Sequence, residues 1–307
     1  MHAIFDEIIR VEELPLEECE MYDIGMVDTP HTFFANDILV HNSLFLPALP
    51  MIENPDEKTE DELIQETLKV ASEVQAVINR YYDRYGQRYH NVDTHKWNIK
   101  QEMVGRRAFW GSAKKRYAMW IINKNGLPFD EAEIKGFDVV RSSFPQAFRV
   151  FMREIIDDIL HDVSVEDLNL KIRNFKHQYT KAPIQDILLP SGVKEISKFK
   201  YGQKATPIHV KSAQNYNRFC ELNKLESVAK MDDGDKILWG YVKQNPYNFD
   251  TFSIRGYDDP PECVTFFEKY VDKETIFQNA LMSKLETIWD DLGWGRIELT
   301  ENNADFF

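Results

Sequence analysis

The first forty residues set apolar and polar positions in short, strand-like runs. AIFDEIIRVEEL (3–14) and EMYDIGMV (20–27) predict β segments, DTPHT a turn, and FFANDILV (33–40) a pair of strands hinged at Asn36-Asp37. A brief strand follows Ser43, then the loop NPDEKTED with its helix-capping residues. The period then changes. Leu63, Ile64, Leu68, Ala71, Val74, Val77, Ile78 and Tyr81 recur at helical spacing and predict a long helix over roughly 57–85. KWNIKQEMVG (96–105) and KKRYAMWIINKNGLPF (114–129) predict strands, the second a hairpin turning at Asn125-Gly126. Ser143 and Pro145 open a helix expected over 144–161 with Phe148, Phe151, Ile155 and Ile159 inward. A second long helix is expected over 262–290. The chain has no internal repeat and no low-complexity tract.

Composition narrows the class. In 307 residues, 43% hydrophobic and 13% aromatic content suffices for a packed core and argues against wholesale disorder. Three widely spaced cysteines, Cys19, Cys220 and Cys263, make neither a disulfide framework nor a CxxC metal site, which suits a reducing cytoplasm. No apolar run reaches the length of a membrane span, and MHAIFDEIIRVEELP carries acids where a signal peptide carries lysines.

Charge changes the picture further. The net charge of −14 would by itself argue against a nucleic-acid partner. Residues 1–42, however, hold ten acids against Arg10 alone, a balance of −9, which leaves −5 for 43–307. Within that remainder, 96–116 has seven bases and one acid, and 171–218 has ten bases and two acids. An acidic leader therefore precedes a near-neutral body with two basic patches. Such patches permit nucleic-acid binding, although a solvated basic face has the same composition. A strand-rich leader of about 42 residues is too small to bury a sound core alone and calls for a partner. The composition break at 42/43 is the clearest boundary, with a weaker one near 143.

His41-Asn42-Ser43 interrupts two apolar strands, and it is poor strand material. As a bare tripeptide it says little, but its three side chains share a chemistry. An Asn side-chain nitrogen can attack its own main-chain carbonyl, closing a succinimide and releasing the next residue. A preceding His can assist at the carbonyl or leaving group. A following Ser can first accept an acyl group on its hydroxyl, then pass it to its freed amine through a five-membered shift.

MYDIGMVDTPHTFFANDILVHNS (21–43) resembles the C-terminal splicing blocks of inteins along its whole length. That resemblance implies Asn42 as the cyclising residue, His41 as its assistant and Ser43 as the first residue of the host. It also implies Asp23 and His31 as residues that activate the junctions, with Asp28 a weaker match for the Asp. Both Asp23 and His31 also read as ordinary turn residues. An N-terminal nucleophile and a Thr-x-x-His block do not precede the pattern, so the expectation is the C-terminal half of a split intein, with the other half on a partner chain.

The body resembles family B DNA polymerases of the phage type. The match is sharpest at AFWGSAKKRYAMWIINKNG (108–126), and extends to GFDVVRSSFPQAFRVFMREII (136–156), GQKATPIHVKSAQNYNRF (202–219) and YVDKETIFQNALMSKLETIWDDLGW (270–294). The implied fold is α+β: a small all-β intein fragment (1–42), the C-terminal part of a polymerase palm with an antiparallel sheet and helices (43–142), and a mostly helical thumb with a clamp-binding tail (143–307). Ser43 would complete the family's Asp-Thr-Asp-Ser turn, so an intein at that point disables the enzyme until it leaves.

The implied activity is DNA-directed DNA synthesis after trans-splicing, with primer-template DNA, dNTP and a sliding clamp as partners. Two Mg²⁺ ions would be held mostly by Asp residues of the partner chain. Glu102 resembles an auxiliary palm carboxylate but reads equally well as a surface acid. Lys114, Lys115, Arg116 and Tyr117 are the expected primer-duplex contacts, with Lys204, His209, Lys211 and Arg218 as thumb contacts. The extra Gly in KFKYGQKA departs from the family pattern there. Phe306 and Phe307 would dock on the clamp, although a frayed terminus reads the same way. No membrane partner is expected, and the implied setting is the cytoplasm of a virus-infected bacterium. The alternative is a DNA-binding subunit that associates non-covalently with the N-terminal polymerase chain and carries a dead splicing remnant.

Overall fold

The computed structural model describes residues 33–35, 38–40, 45–90, 93, 98–113, 115–225, 227–256 and 259–299. The chain is α+β, and it divides into two compact units: Met1–Val104 with Ile122–Phe129, and Gly105–Ile121 with Asp130–Phe307. The segments expected as strands at 3–14 and 20–27 lie outside the described residues.

In the first unit, β1 (Phe33–Ala35) and β2 (Ile38–Val40) pair antiparallel, with Phe33 opposite Val40 and Ala35 opposite Ile38. The pair brackets Asn36-Asp37, as the sequence predicts. Helix α1 runs over Glu60–His90, later at both ends than expected. Its start is fixed by a capping box: the Thr59 amide donates to Glu62 Oε2 at 2.8 Å, and the Glu62 amide donates to Thr59 Oγ1 at 3.4 Å. The Thr59 bonds hold the Glu62 carboxyl below its ordinary pKa.

Two side chains of α1 capture an extended segment. Asn79 accepts from the Ile99 amide at 2.9 Å and donates to the Ile99 carbonyl at 3.2 Å, and Gln75 accepts from the Gln101 amide at 2.9 Å. Those bonds hold 99–101 against the helix, and the strand expected at 96–105 begins only at Met103. Of the residues of this unit whose burial is described, Ile52, Gly86, Ile99, Val104 and Asn123 are buried. A 31-residue helix thus buries one glycine.

The strands β3 (Met103–Trp110), β4 (Tyr117–Lys124) and β5 (Leu127–Lys135) form a sheet in that order. The predicted turn at Asn125-Gly126 joins β4 to β5, and Asn123 Oδ1 accepts from the Gly126 amide at 3.1 Å.

The second unit holds the main core. Helix α2 (Gln146–Leu160) starts after Pro145 and buries Phe148, Phe151, Ile155 and Ile159, the four positions read from the period. Helix α3 (Val165–Tyr179) is capped by Ser164, which accepts from the Asp167 amide. It stacks Phe175 on Phe151 with ring centroids 3.9 Å apart. A short α4 (Ile184–Ile187) leads into β6 (Leu189–Gly192). With β7 (Lys236–Tyr241) and β8 (Thr251–Ile254), β6 makes an antiparallel sheet in a region expected to be mostly helical. Helix α5 (Ile208–Leu222) packs on β7 and β8.

The helix expected over 262–290 is broken. It resolves into α6 (Pro261–Tyr270), α7 (Lys273–Ile276), a π-helical turn Phe277–Met282, and α8 (Ser283–Leu292). The break has a tertiary cause. The Tyr270 carbonyl accepts from the Lys243 amide at 2.7 Å, and the Asp272 amide donates to the Tyr241 carbonyl at 2.8 Å. Asp272 then caps the next helix by accepting from the Thr275 amide. Backbone pairing with the end of β7 therefore outcompetes continuation of the helix.

Candidate nucleic-acid interface

The basic loop between β3 and β4 is held from three sides. The Gly111 amide donates to the Arg116 carbonyl at 2.9 Å, closing the hairpin end. The Ser112 amide donates to Asp291 Oδ1 at 3.0 Å, which fastens the loop to α8. Gly136 passes beneath it with φ of +72°. A Cβ placed there would lie 2.3 Å from the Lys115 carbonyl oxygen and 3.0 Å from the Arg116 Cα. Only glycine fits both that conformation and that approach.

The side chains divide by task. Lys115 is exposed, with no ion-pair partner among the described residues. The Arg116 guanidinium sits 5.5 Å from the centre of the buried Phe137 ring, a cation–π contact that fixes its direction. Tyr117 donates its hydroxyl to Glu133 Oε1 at 2.8 Å. Lys114 lies outside the described residues. Trp110, at the end of β3 where the loop begins, is 50% exposed. Further along β3, Arg107 pairs with Asp162, and that guanidinium holds the Asp162 carboxyl below the usual carboxylate range. Arg106 lies 5.0 Å from the centre of the Trp120 ring.

The second basic patch is more nearly balanced than its sequence suggests. Lys204 is exposed in the turn before α5. His209 is half-buried, and burial alone pushes its pKa down, so it is neutral near pH 7. Lys211 pairs with Asp250, and Arg218 lies 3.4 Å from Glu221, which also takes Lys230 at 2.7 Å. A groove of about 490 Å³ opens here, lined among others by Tyr201, Gln214, Arg218 and Lys230. Its cations are matched by Glu221 and Asp232.

Glu102 is exposed in the segment before β3, and its carbonyl accepts from the Asn125 amide at 2.7 Å. Among the described residues no group of three His, Cys, Asp or Glu side chains is placed to hold a metal ion. A single carboxylate does not make a two-metal site. Asp23, His31, His41, Asn42, Ser43, Phe306 and Phe307 lie outside the described residues.

Sequence reasoning missed Gly136, Phe137 and Asp291 as supports of the loop, and Trp110 as its aromatic neighbour. The composition of the basic run gave no sign of Asp291, 179 residues from Ser112.

No protein-family model matches the chain, and no curated protein matches it. Among the described residues no helix is long and apolar enough to cross a membrane.

Proposed function

We propose that the chain is a splicing precursor: residues 1–42 are the C-terminal half of a split intein, and 43–307 the C-terminal palm and thumb part of a family B DNA polymerase. The single observation that carries this reading is the run HNS at 41–43, which directly follows the short antiparallel pair β1–β2 within a block of intein character. An acyl group from the partner chain passes to the Ser43 hydroxyl. Asn42 then cyclises on its own carbonyl with help from His41, breaking the Asn42–Ser43 bond and freeing the Ser43 amine. The acyl group moves from oxygen to that nitrogen, leaving an ordinary peptide bond.

The sparse burial in the first unit supports a partner. An isolated helix draws most of its stability from packing an apolar face, yet the stripe through Ile64, Leu68, Ala71 and Ile78 is only half-buried. Completion by the N-terminal polymerase chain would cover it. The tethered loop with Lys115, Arg116 and Trp110 supports primer-duplex binding, where cations meet phosphates and an aromatic ring meets the groove.

Mixing or co-expressing the chain with its partner tests the reading. The expected result is a ligated product plus a released fragment of about 42 residues. Asn42→Ala together with Ser43→Ala should abolish ligation. Two chains that co-purify and are never joined would favour non-covalent association instead.

A further inference from the structure

The last third of α1 carries a pattern that splicing and duplex binding leave unused. Arg80, Arg84 and Arg88 recur every fourth residue, and so do Tyr81, Tyr85 and Tyr89. Four residues of helix advance about 6 Å, so each set forms a row along the axis and the two rows run side by side. Tyr81 is 60% and Tyr89 62% exposed. The rings form a ladder, with centroids 5.8 Å apart from Tyr81 to Tyr85 and 4.8 Å apart from Tyr85 to Tyr89.

The arginines are available. Arg84 and Arg88 are exposed, and none of the three makes an ion pair among the described residues, unlike Arg107, Arg141, Arg218 and Arg255. Among the described residues Arg80 bonds to the Ala76 carbonyl of its own helix, and Arg88 lies 5.3 Å from the Tyr89 ring centre. Arg84 and Arg88 are also turned away from the packed side. Asn79 holds Ile99, and five and nine residues further on the helix has rotated about 140° and 180° from it. The charge is segregated too: Glu60, Asp61, Glu62, Glu66 and Glu73 occupy the first half, whereas 80–89 has three arginines against Asp83.

Arginines in the last turns gain from the helix dipole, but the dipole does not explain exposed tyrosine rings in a parallel row. We propose that this face of α1 binds single-stranded nucleic acid, with Arg80, Arg84 and Arg88 on successive phosphates and Tyr81 and Tyr89 offering stacking surfaces to bases. A row of cations beside a row of aromatic rings is the arrangement single-strand binders use. The site shares no residue with the basic loop and does not depend on splicing.

The test uses the full chain without its partner, and fluorescence anisotropy with labelled dT12. Affinity should fall with salt, and Arg84→Ala with Arg88→Ala should reduce the log–log salt slope by about 1.4, at 0.7 per lost single-strand phosphate contact. Arg84→Lys with Arg88→Lys should keep the slope, because the slope counts charge. Tyr81→Ala with Tyr89→Ala should weaken binding about thirtyfold or more while leaving the slope unchanged. Retained dT12 affinity in both alanine pairs, with circular dichroism showing intact helix, would overturn the proposal. So would protection of Tyr81 and Tyr89 by the partner chain with loss of dT12 binding in the joined product.

Discussion

Replacing Gly136 with Ala should destabilise the second unit and disturb the basic loop together. Two costs add. A non-glycine residue at φ of +72° carries left-handed strain of about 1–2 kcal/mol. The new methyl would also stand 2.3 Å from the Lys115 carbonyl oxygen, and backbone cannot rotate away as a side chain can. Overpacking of that kind costs about 1–3 kcal/mol, for a total of about 2–5 kcal/mol. Gly293 supplies the control within the same unit. It ends α8 at φ of +71°, and a Cβ there meets nothing within 4 Å. Gly293→Ala therefore carries the strain without the clash, about 1–2 kcal/mol. The difference, about 1–3 kcal/mol, corresponds to roughly 2–12 °C in Tm for a unit of this size. Thermal unfolding of the two variants measures it, and duplex binding of the folded fraction reads the displaced loop. Equal Tm losses, with Gly136→Ala binding duplex normally, would refute the reasoning that Gly136 props the loop.

Three further outcomes follow from the same geometry. Lys115→Ala should weaken binding to a primer-template duplex and lower the log–log salt slope by about 0.9, since the residue contributes one cation; titrations at several salt concentrations measure it. His209→Gln should leave that slope unchanged at pH 7.5, because burial keeps the imidazole neutral there. As pH falls below the ordinary His value, the unfolded chain takes up the proton first, so stability should drop more in the native protein than in the variant, by urea unfolding. The Arg107–Asp162 pair should contribute above the ordinary Asp pKa and fade as pH falls through the lowered folded value, because the paired carboxyl resists protonation. Comparing Asp162→Asn with the native chain across that window, at low salt, reads a small difference that vanishes at acid pH.

Local pattern was legible where one element decides its own fate. The four inward positions of α2, the Asn125-Gly126 turn and the β1–β2 pair were all readable because period and turn chemistry act over a few residues. The late start of β3 was not, because Asn79 and Gln75 take up the backbone of Ile99 and Gln101 from twenty or more residues away. The broken helix after Tyr270 and the sheet β6–β7–β8 failed for a similar reason: both depend on pairing with distant backbone.

The candidate site was partly legible. The basic run marked the β3–β4 loop, but its rigidity comes from Gly136, Phe137 and Asp291, which composition cannot connect to it. In α5 the sequence overstated the positive charge, because Asp250 and Glu221 reach Lys211 and Arg218 only in the folded chain.

Mass spectrometry of the Asn42–Ser43 bond tests the central claim most directly. After the chain is mixed with its N-terminal counterpart under reducing conditions, the released fragment should end in a C-terminal succinimide or its hydrolysed Asn, and Ser43 should carry a new peptide bond to the counterpart. A chain that stays whole across residues 42 and 43, in a mixture where the two proteins demonstrably bind, would contradict it.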